Sequence, residues 1–443
     1  MMEWINGRIF GWLIPFLLFG GGIFYGIRLR CFHILHPKKI LDVLVGGGGT
    51  GARSPLRAMC LALAGTLGVG NLVGVASAIC LGGAGAVFWM WVSALCAMLL
   101  KYAEIVLAMT HRRWGEGRWH GSAMQYIKDF FVWKKHPLLA GLFGGGFALL
   151  CIVNALTMGS MIQVHAIREA MEGVLGISPW IVGSILSLLT FFLLRGGTGR
   201  ILSVSARLVP LMTAGYLILS VAALARSLDR IPQVLLQIVE DAFSVRAAVG
   251  GVGGFLFGNA VRYGSMRGLL SNEAGCGTAP MAHATTDGTD PATQGIWGIF
   301  EVFADTVLLC TMTALVILCS DAPVVGEDYM MITIDAYSAI LGDFASYFIA
   351  LSVLLFGFAT VICWAHYGME CVSYLSSSPR MAIVFQVVYT ASIPVGALSA
   401  SGVIWQVADL ALGLMTVINL PVLCSMSGEV RRVTDSFLTG KIT

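Results

Sequence analysis

Apolar residues gather in eleven runs long enough, or nearly so, to cross a lipid bilayer. They lie at 10–27, 58–80, 84–109, 139–164, 179–195, 207–226, 248–270, 294–319, 345–365, 383–405 and 407–426, and each predicts a membrane helix. Two runs break the pattern. The second holds "GTLGVGNLVG" (Gly65–Gly74), with four glycines, Thr66 and Asn71 in ten residues. The seventh holds "GGVGGFLFGNAVRYGSMRG" (Gly250–Gly268) and starts about 190 residues later. Glycines ease unwinding, and an amide in hydrocarbon is costly unless it finds a partner.

Composition agrees with a lipid-facing chain. Of 443 residues, 57% are hydrophobic and 12% charged, against roughly a quarter charged in soluble domains. Charge distribution sets the orientation. With the N-terminus outside and strict alternation, 21 of the 27 Lys and Arg fall on the inner side. They include Arg28, Lys38, Arg112, Lys134, Arg262, Arg267 and Arg431. The 320–344 loop carries Asp321, Glu327, Asp328, Asp335 and Asp343 without a basic residue, which suits the outside. The chain is thus expected to be N-out and C-in. The first run has its basic cluster after it rather than before, which fits a retained span, not a cleaved signal.

Grouping runs two to six and seven to eleven gives two five-span units, each opening on a glycine-interrupted run. Five is odd, so the second unit enters from the opposite side. Paired interruptions in inverted repeats point to the central site of a secondary transporter. The expected division is 1–57 (an extra helix and a basic inner loop), 58–230, 231–426, and a 427–443 tail.

An unwound helix exposes N–H groups on one half, suited to a carboxylate, and C=O groups on the other, suited to Na⁺. The plainer alternative is close helix packing through the Gly70/Gly74 GxxxG. Eleven scattered cysteines without a CxxC read as small core hydrophobes. "HATTD" (His283–Asp287) is one residue short of an HxxxxD motif.

"SPLRAMCLALAGTLGVGNLVGVASAICLGGAGAVFWMWVSALCAMLLKYAE" (Ser54–Glu104) resembles the signature region of the alanine/glycine:cation symporters, the sodium–alanine symporter family. "MRGLLSNEAGCGTAPMAHA" (Met266–Ala284) is similar to that family's second signature, and Glu301–Leu315 and Phe356–Leu375 are similar to further family segments. The resemblance covers nearly the whole chain. It implies an all-α polytopic protein of the cell (inner) membrane. Its core would be LeuT-type, two inverted five-helix repeats behind one extra helix. It also implies co-transport of a small neutral amino acid (alanine, D-alanine or glycine) with Na⁺ as coupling ion, H⁺ being the alternative.

Residue roles follow from the resemblance. The substrate carboxylate would meet the N–H groups of Val69 and Gly70, with Val69 standing where threonine is frequent. Ala64 and Leu67 would offer carbonyls to Na⁺, and Thr66, Asn71 and Thr360 further oxygens to ion or substrate; the alternative for Asn71 is an interhelical hydrogen bond. Gln163 would line the substrate site; its alternative is an interfacial glutamine at the outer helix end. Thr360 and Trp364, at i and i+4, share a face; Trp364 would wall the pocket, or else belong to an inner aromatic belt. Gly258, Gly264 and Gly268 would mark the second break, with backbone near Gly264 meeting the substrate amino group. Asn272 and Glu273, with Arg267 close by, suggest a gating or structural ion pair, a proton carrier at Glu273 being the alternative. Glu301 and Asp305, also at i and i+4, could hold a cation or a proton. Lys101 and Glu104 read as a snorkelling pair. Two further departures are Ala84 for a usual proline, and Met369 for a usual glutamate with Glu370 displaced by one position.

The rival readings are a glutamine or serine symporter of the same fold, a proton-coupled carrier, an intramembrane enzyme using Glu273, His283 or Glu301, and a channel. No phosphate-binding GxxxxGK[ST] loop supports an ATP-driven pump.

Overall fold

The computed structural model describes residues 11–46, 54–115, 117–243, 251–324, 326, 328–399 and 402–440. Arg8, Arg53, Arg246, Glu327 and Lys441 of the charge pattern lie outside the described residues. So do parts of three apolar runs, at 10, 248–250 and 400–401.

Among the described residues a helix occupies each of the eleven apolar runs: α1 (Gly11–Arg28), the broken pair α2 (Pro55–Thr66) and α3 (Val75–Gly82), α4 (Gly85–Thr110), α5 (Pro137–Leu175), α6 (Pro179–Arg195), α7 (Gly197–Ala225), α8 (Gly251–Asn272), α9 (Pro291–Cys319), α10 (Phe344–Leu375), α11 (Pro379–Leu398) and α12 (Gly402–Ser425). Seven of these, and α2–α3 as an eighth, are long and apolar enough to cross a bilayer by length and composition; α1 and α6 are shorter and α8 falls outside that set. Proline opens α5, α6, α9 and α11 at the first turn, where a missing N–H does no harm. Asp290 caps α9 by accepting from the Thr293 N–H at 3.0 Å.

α4 is buried along most of its length, packed against α8 and α9, whereas α7 and α11 turn much of theirs outward. Exposed Ile181, Ile185, Leu188 and Phe192 on α6, with Ile383, Val384, Val387 and Val388 on α11, present an apolar flank. Such a flank suits lipid rather than water.

Three interruptions position the site. α2 ends at Leu67, whose ψ of 59° leaves the helical region; a π-helical turn, Gly70–Gly74, restarts the chain, and α2 and α3 meet at 56°. Further π-helical turns lie inside α5 (Thr157–Met161) and α9 (Phe303–Cys310), a feature that often accompanies functional sites. The break after α8 differs from the expected one. α8 is unbroken through Gly258, Gly264 and Gly268, and the helix stops only at Asn272. A Cβ on Gly264 would sit 2.2 Å from the Ala86 oxygen and one on Gly268 2.3 Å from Ser93 Oγ, so these two glycines let α8 press against α4. The real break is "EAGCG", where Glu273, Gly275 and Gly277 all take positive φ (52°, 83° and 78°). Glu273 does so as a non-glycine residue, which is uncommon and strained.

Candidate functional site

The first break is built around Gly68. A Cβ there would fall 2.7 Å from Gln163 Oε1 and 2.8 Å from Thr360 Oγ1, so the position must be bare for α5 and α10 to close over it. Gln163 is buried on α5, just past the π turn; its Oε1 accepts from the Val69 N–H at 3.1 Å and its Nε2 donates to the Met158 oxygen at 3.1 Å. It therefore sits on the break and not at an interface. Thr360 Oγ1 donates to the Ala64 oxygen at 2.9 Å, linking α10 to the carbonyl end of α2. Thr66 Oγ1 and Asn71 Oδ1 are buried with no hydrogen-bond partner among the described residues.

A cavity of about 50 Å³ opens here, lined by Thr66, Val69, Gly70, Gln163, Ser271 and Glu273 among others. It is small: one water needs roughly 10–15 Å³ on such a scale. Thr360 and Trp364 are not among its lining residues. Trp364 is fully buried one turn further on, edge-on to Tyr367 at 5.5 Å between centroids, with Gly159 leaving room for its ring. An interfacial belt position is thereby excluded.

Sequence reasoning missed Ser271, Trp405 and Asp409, which line the same cavity. Trp405 and Asp409 are spaced i and i+4 on α12, the same signal that singled out Thr360 and Trp364. A wider cavity of about 540 Å³ adjoins it, sharing Val69, Arg267, Trp405 and Asp409 and reaching Glu169 and Asp328. Arg267 thus lies on the side of the 320–344 loop, with Arg262 further along α8 in that direction. The charge pattern had counted both with the expected inner side, and the structure takes these two out of that group. Nor does Arg267 pair with Glu273: its guanidinium lies over Trp405 at 5.9 Å, and Glu273 accepts from Thr278 Oγ1 at 2.7 Å.

The remaining charged candidates separate into two groups. Lys101 and Glu104 do not snorkel, for both are fully buried. Lys101 Nζ pairs with Glu301 Oε1 at 3.1 Å, and His283 Nε2 meets Glu301 Oε2 at 3.0 Å. Glu104 Oε1 accepts from the Gly277 N–H at 2.8 Å and from Asn419 Nδ2 at 2.7 Å, which fastens α4 and α12 to the second break. Asn272 spans the end of α8, donating to the Gly268 oxygen at 2.7 Å and accepting from the Ala274 N–H at 3.1 Å. Asp305 faces elsewhere and accepts from Asn71, Ser271 and Thr306. Glu301 and Asp305 therefore do not hold one cation between them, because one helical turn and the π turn aim them at different neighbours. Glu370 anchors the hairpin of β1 (Arg113–Gly115) and β2 (Arg118–His120) to α10, meeting Arg118 Nη1 at 2.6 Å and His120 Nδ1 at 2.9 Å.

A broken helix pair, α2–α3, and the break after α8, both lining one small cavity within a mostly helical, apolar bundle, form the arrangement of a membrane transport protein. Solved structures with the same fold include a Na⁺-coupled sialic acid symporter (TM-score 0.52, 14% identity, covering 95% of this chain and 85% of that one). MhsT in complex with L-phenylalanine is a second (TM-score 0.52, 13% identity, covering 88% and 99%). Both are LeuT-fold transporters. The family model for the "Sodium:alanine symporter family" matches residues 1–442, and the chain belongs to that family. Relatives include the sodium/alanine symporter AgcS of Methanococcus maripaludis (30% identical, 99% of this chain and 96% of that protein). The amino-acid carrier protein AlsT of Bacillus subtilis is 33% identical over 95% and 88%, and the probable sodium/glutamine symporter GlnT of the same organism 31% over 94% and 85%. The chain is accordingly an integral membrane protein of an amino-acid/sodium symporter family.

Proposed function

We propose that this protein imports a small neutral amino acid, alanine or glycine, together with Na⁺ by alternating access. The observation that carries this reading is the first break, where Val69, whose N–H is held by Gln163, and Gln163 itself line one small cavity, while Thr360 binds the Ala64 carbonyl beside it. The substrate carboxylate takes the Val69 N–H from Gln163 Oε1, and the freed Gln163 amide then turns toward the substrate. Na⁺ takes the oxygens of Ala64, Leu67 and Thr360. Ion and carboxylate bind the two ends of one unwound segment, so each orders the other's site. The wide cavity toward Glu169 and Asp328 supports an outward-facing state. The ties from Glu104 and Asn419 to the second break support a closed inner side.

In this reading eleven helices cross the cell membrane, N-terminus outside and C-terminus inside, with 58–230 and 231–426 as inverted units. Glutamine is the second candidate, because GlnT is named for it; the small cavity favours alanine, whose side chain is a single carbon. Uptake by purified protein in liposomes under separate Na⁺ and H⁺ gradients decides the matter. L-alanine, D-alanine, glycine, serine and glutamine are the substrates to compare. Na⁺-driven alanine or glycine uptake is expected; no gradient-driven uptake of any of them sinks the proposal.

A further inference from the structure

α7 carries two arginines on a face that is otherwise apolar. Leu211 and Ile218, each 70% exposed, mark the side of α7 that looks out of the bundle. Arg200 and Arg207 are exposed on the same side, because steps of 7, 11 and 18 residues bring a helix back to within about 20° of its starting direction. From Arg207 to Ala225, the end of α7, the helix rises about 27 Å, close to the roughly 30 Å of a hydrocarbon core. Arg207 therefore stands at the rim of the apolar layer, and Arg200 about 10 Å beyond it on the water side.

No anion of the protein answers them. The chain has no acidic residue between Glu172 and Asp229. α2, which packs on α7, has none either, and Glu370, the one acid of the neighbouring α10, is held by Arg118 and His120. Among the described residues Arg200 and Arg207 form no ion pair; Arg200 Nη1 donates to the Phe192 oxygen at 3.0 Å, which bends it over the end of α6. An open groove of about 440 Å³ lies between the two, lined by Arg200, Ser203, Val204, Arg207, Leu208 and Leu211. A lone arginine at a helix end snorkels to water and needs no ligand. Here two guanidinium groups share one groove that runs on into leucines. That is the order in which a phospholipid presents its phosphate and then its acyl chain, and guanidinium binds phosphate through paired N–H donors.

We propose that this groove binds a phospholipid of net negative charge, with its phosphate on Arg200 and Arg207 and one acyl chain along Leu208, Leu211 and Ile218. A lipid whose headgroup carries its own ammonium fits less well, because that cation finds no acid here. A second copy of the chain also fits less well, since a symmetric contact centred on the groove would set arginine against arginine. Which leaflet the lipid belongs to follows from the orientation given in the preceding section; its binding does not depend on transport.

The test uses the purified full-length protein in detergent. It is titrated with phosphatidylglycerol, or with phosphatidylcholine of the same acyl chains, while its melting midpoint is followed, since a ligand of the folded state raises the midpoint with concentration. Phosphatidylglycerol is expected to raise it, and phosphatidylcholine to raise it much less. The double variant Arg200→Gln with Arg207→Gln should need about tenfold or more phosphatidylglycerol for half the effect, in line with loss of charge-assisted contacts. Arg207→Gln alone should show a smaller shift, and keeps the comparison open if the double variant does not fold. Lys134→Gln, at an exposed position just past the Ala123–Trp133 helix, should titrate like the wild type. Equal response to the two lipids, or the same half-point in wild type and arginine variants, overturns the proposal. An equal loss in Lys134→Gln overturns it as well, for the effect is then one of general surface charge. So does a change of oligomeric mass in the arginine variants with an unchanged lipid titration, which would make this face a contact between copies.

Discussion

Val69 and Gln163 stand 94 positions apart in the chain, yet the backbone N–H of one donates to the side-chain oxygen of the other at 3.1 Å. The glutamine occupies the N–H that, in the proposed function, would receive the substrate carboxylate. A buried N–H left unmade costs about 1–3 kcal/mol, which is roughly a 10- to 100-fold change in an equilibrium constant.

Gln163→Glu places a fixed carboxylate where, in the proposed function, the substrate's own arrives. Uptake should fall by about tenfold or more through a raised KM. Gln163→Ala should also raise KM, by a smaller factor. Initial-rate uptake in liposomes against amino-acid concentration measures both; an unchanged KM in each would remove Gln163 from the site.

Gly68→Ala drives a Cβ to within 2.7 Å of Gln163 Oε1 and 2.8 Å of Thr360 Oγ1. Overpacking of this kind costs about 1–3 kcal/mol, here at the meeting point of three elements. Transport should drop about tenfold or more. Gly141→Ala, with nothing within 4 Å, should leave uptake as it was.

Lys101→Met removes one of the two ion-pair partners that Glu301 has among the described residues, the other being His283, in a setting where both side chains are almost wholly buried. Breaking a buried pair from one side costs about 3–5 kcal/mol. The melting temperature in detergent should fall clearly. The double variant Lys101→Met with Glu301→Gln should recover much of that loss, since no stranded charge remains. A double variant as unstable as the single one would contradict the ion-pair account.

His111 lies just beyond α4, between Asp129 at 3.0 Å and Glu429 at 3.3 Å. Burial by itself would lower its imidazole, but Glu429 and Asp129 outweigh burial and hold it above its ordinary value. A group raised in the folded state contributes stability fully below its unfolded value, about 6.5, and loses it as pH rises through the folded one. The docking of the Ser427–Thr439 helix should therefore loosen on the alkaline side. Hydrogen exchange of that helix across pH should show it, and His111→Gln should flatten the dependence.

How far the sequence carried these conclusions varies from residue to residue. Asn71, Gln163 and Thr360 were singled out through the family resemblance; Asn71 lies on the first break, and Gln163 on α5 and Thr360 on α10 hydrogen-bond to it or to the end of α2. The first break itself was legible because four glycines and an amide interrupt an apolar run. The second was misplaced. Glycines at 258, 264 and 268 look the same in sequence whether they unwind a helix or press it against a neighbour, and only the nearness of Ala86 and Ser93 separates the two. Lys101 and Glu104 misled for a related reason. Spacing on one helix suggested a local pair, while the partners that decided the matter came from α9, α12 and the second break.

Hydrophobic periodicity, charge bias and glycine interruptions are properties of consecutive residues, so the sequence by itself determined the apolar helices, the first break and the family. Contacts between residues hundreds of positions apart leave no local trace. Tertiary structure alone decided that α8 runs unbroken to Asn272, that Arg267 faces Trp405 rather than Glu273, and that Asp305 spans the two breaks while Glu301 turns to Lys101. The physical reason is common to all three. In a bundle that excludes water, each polar group is placed by the one partner that packing brings within reach.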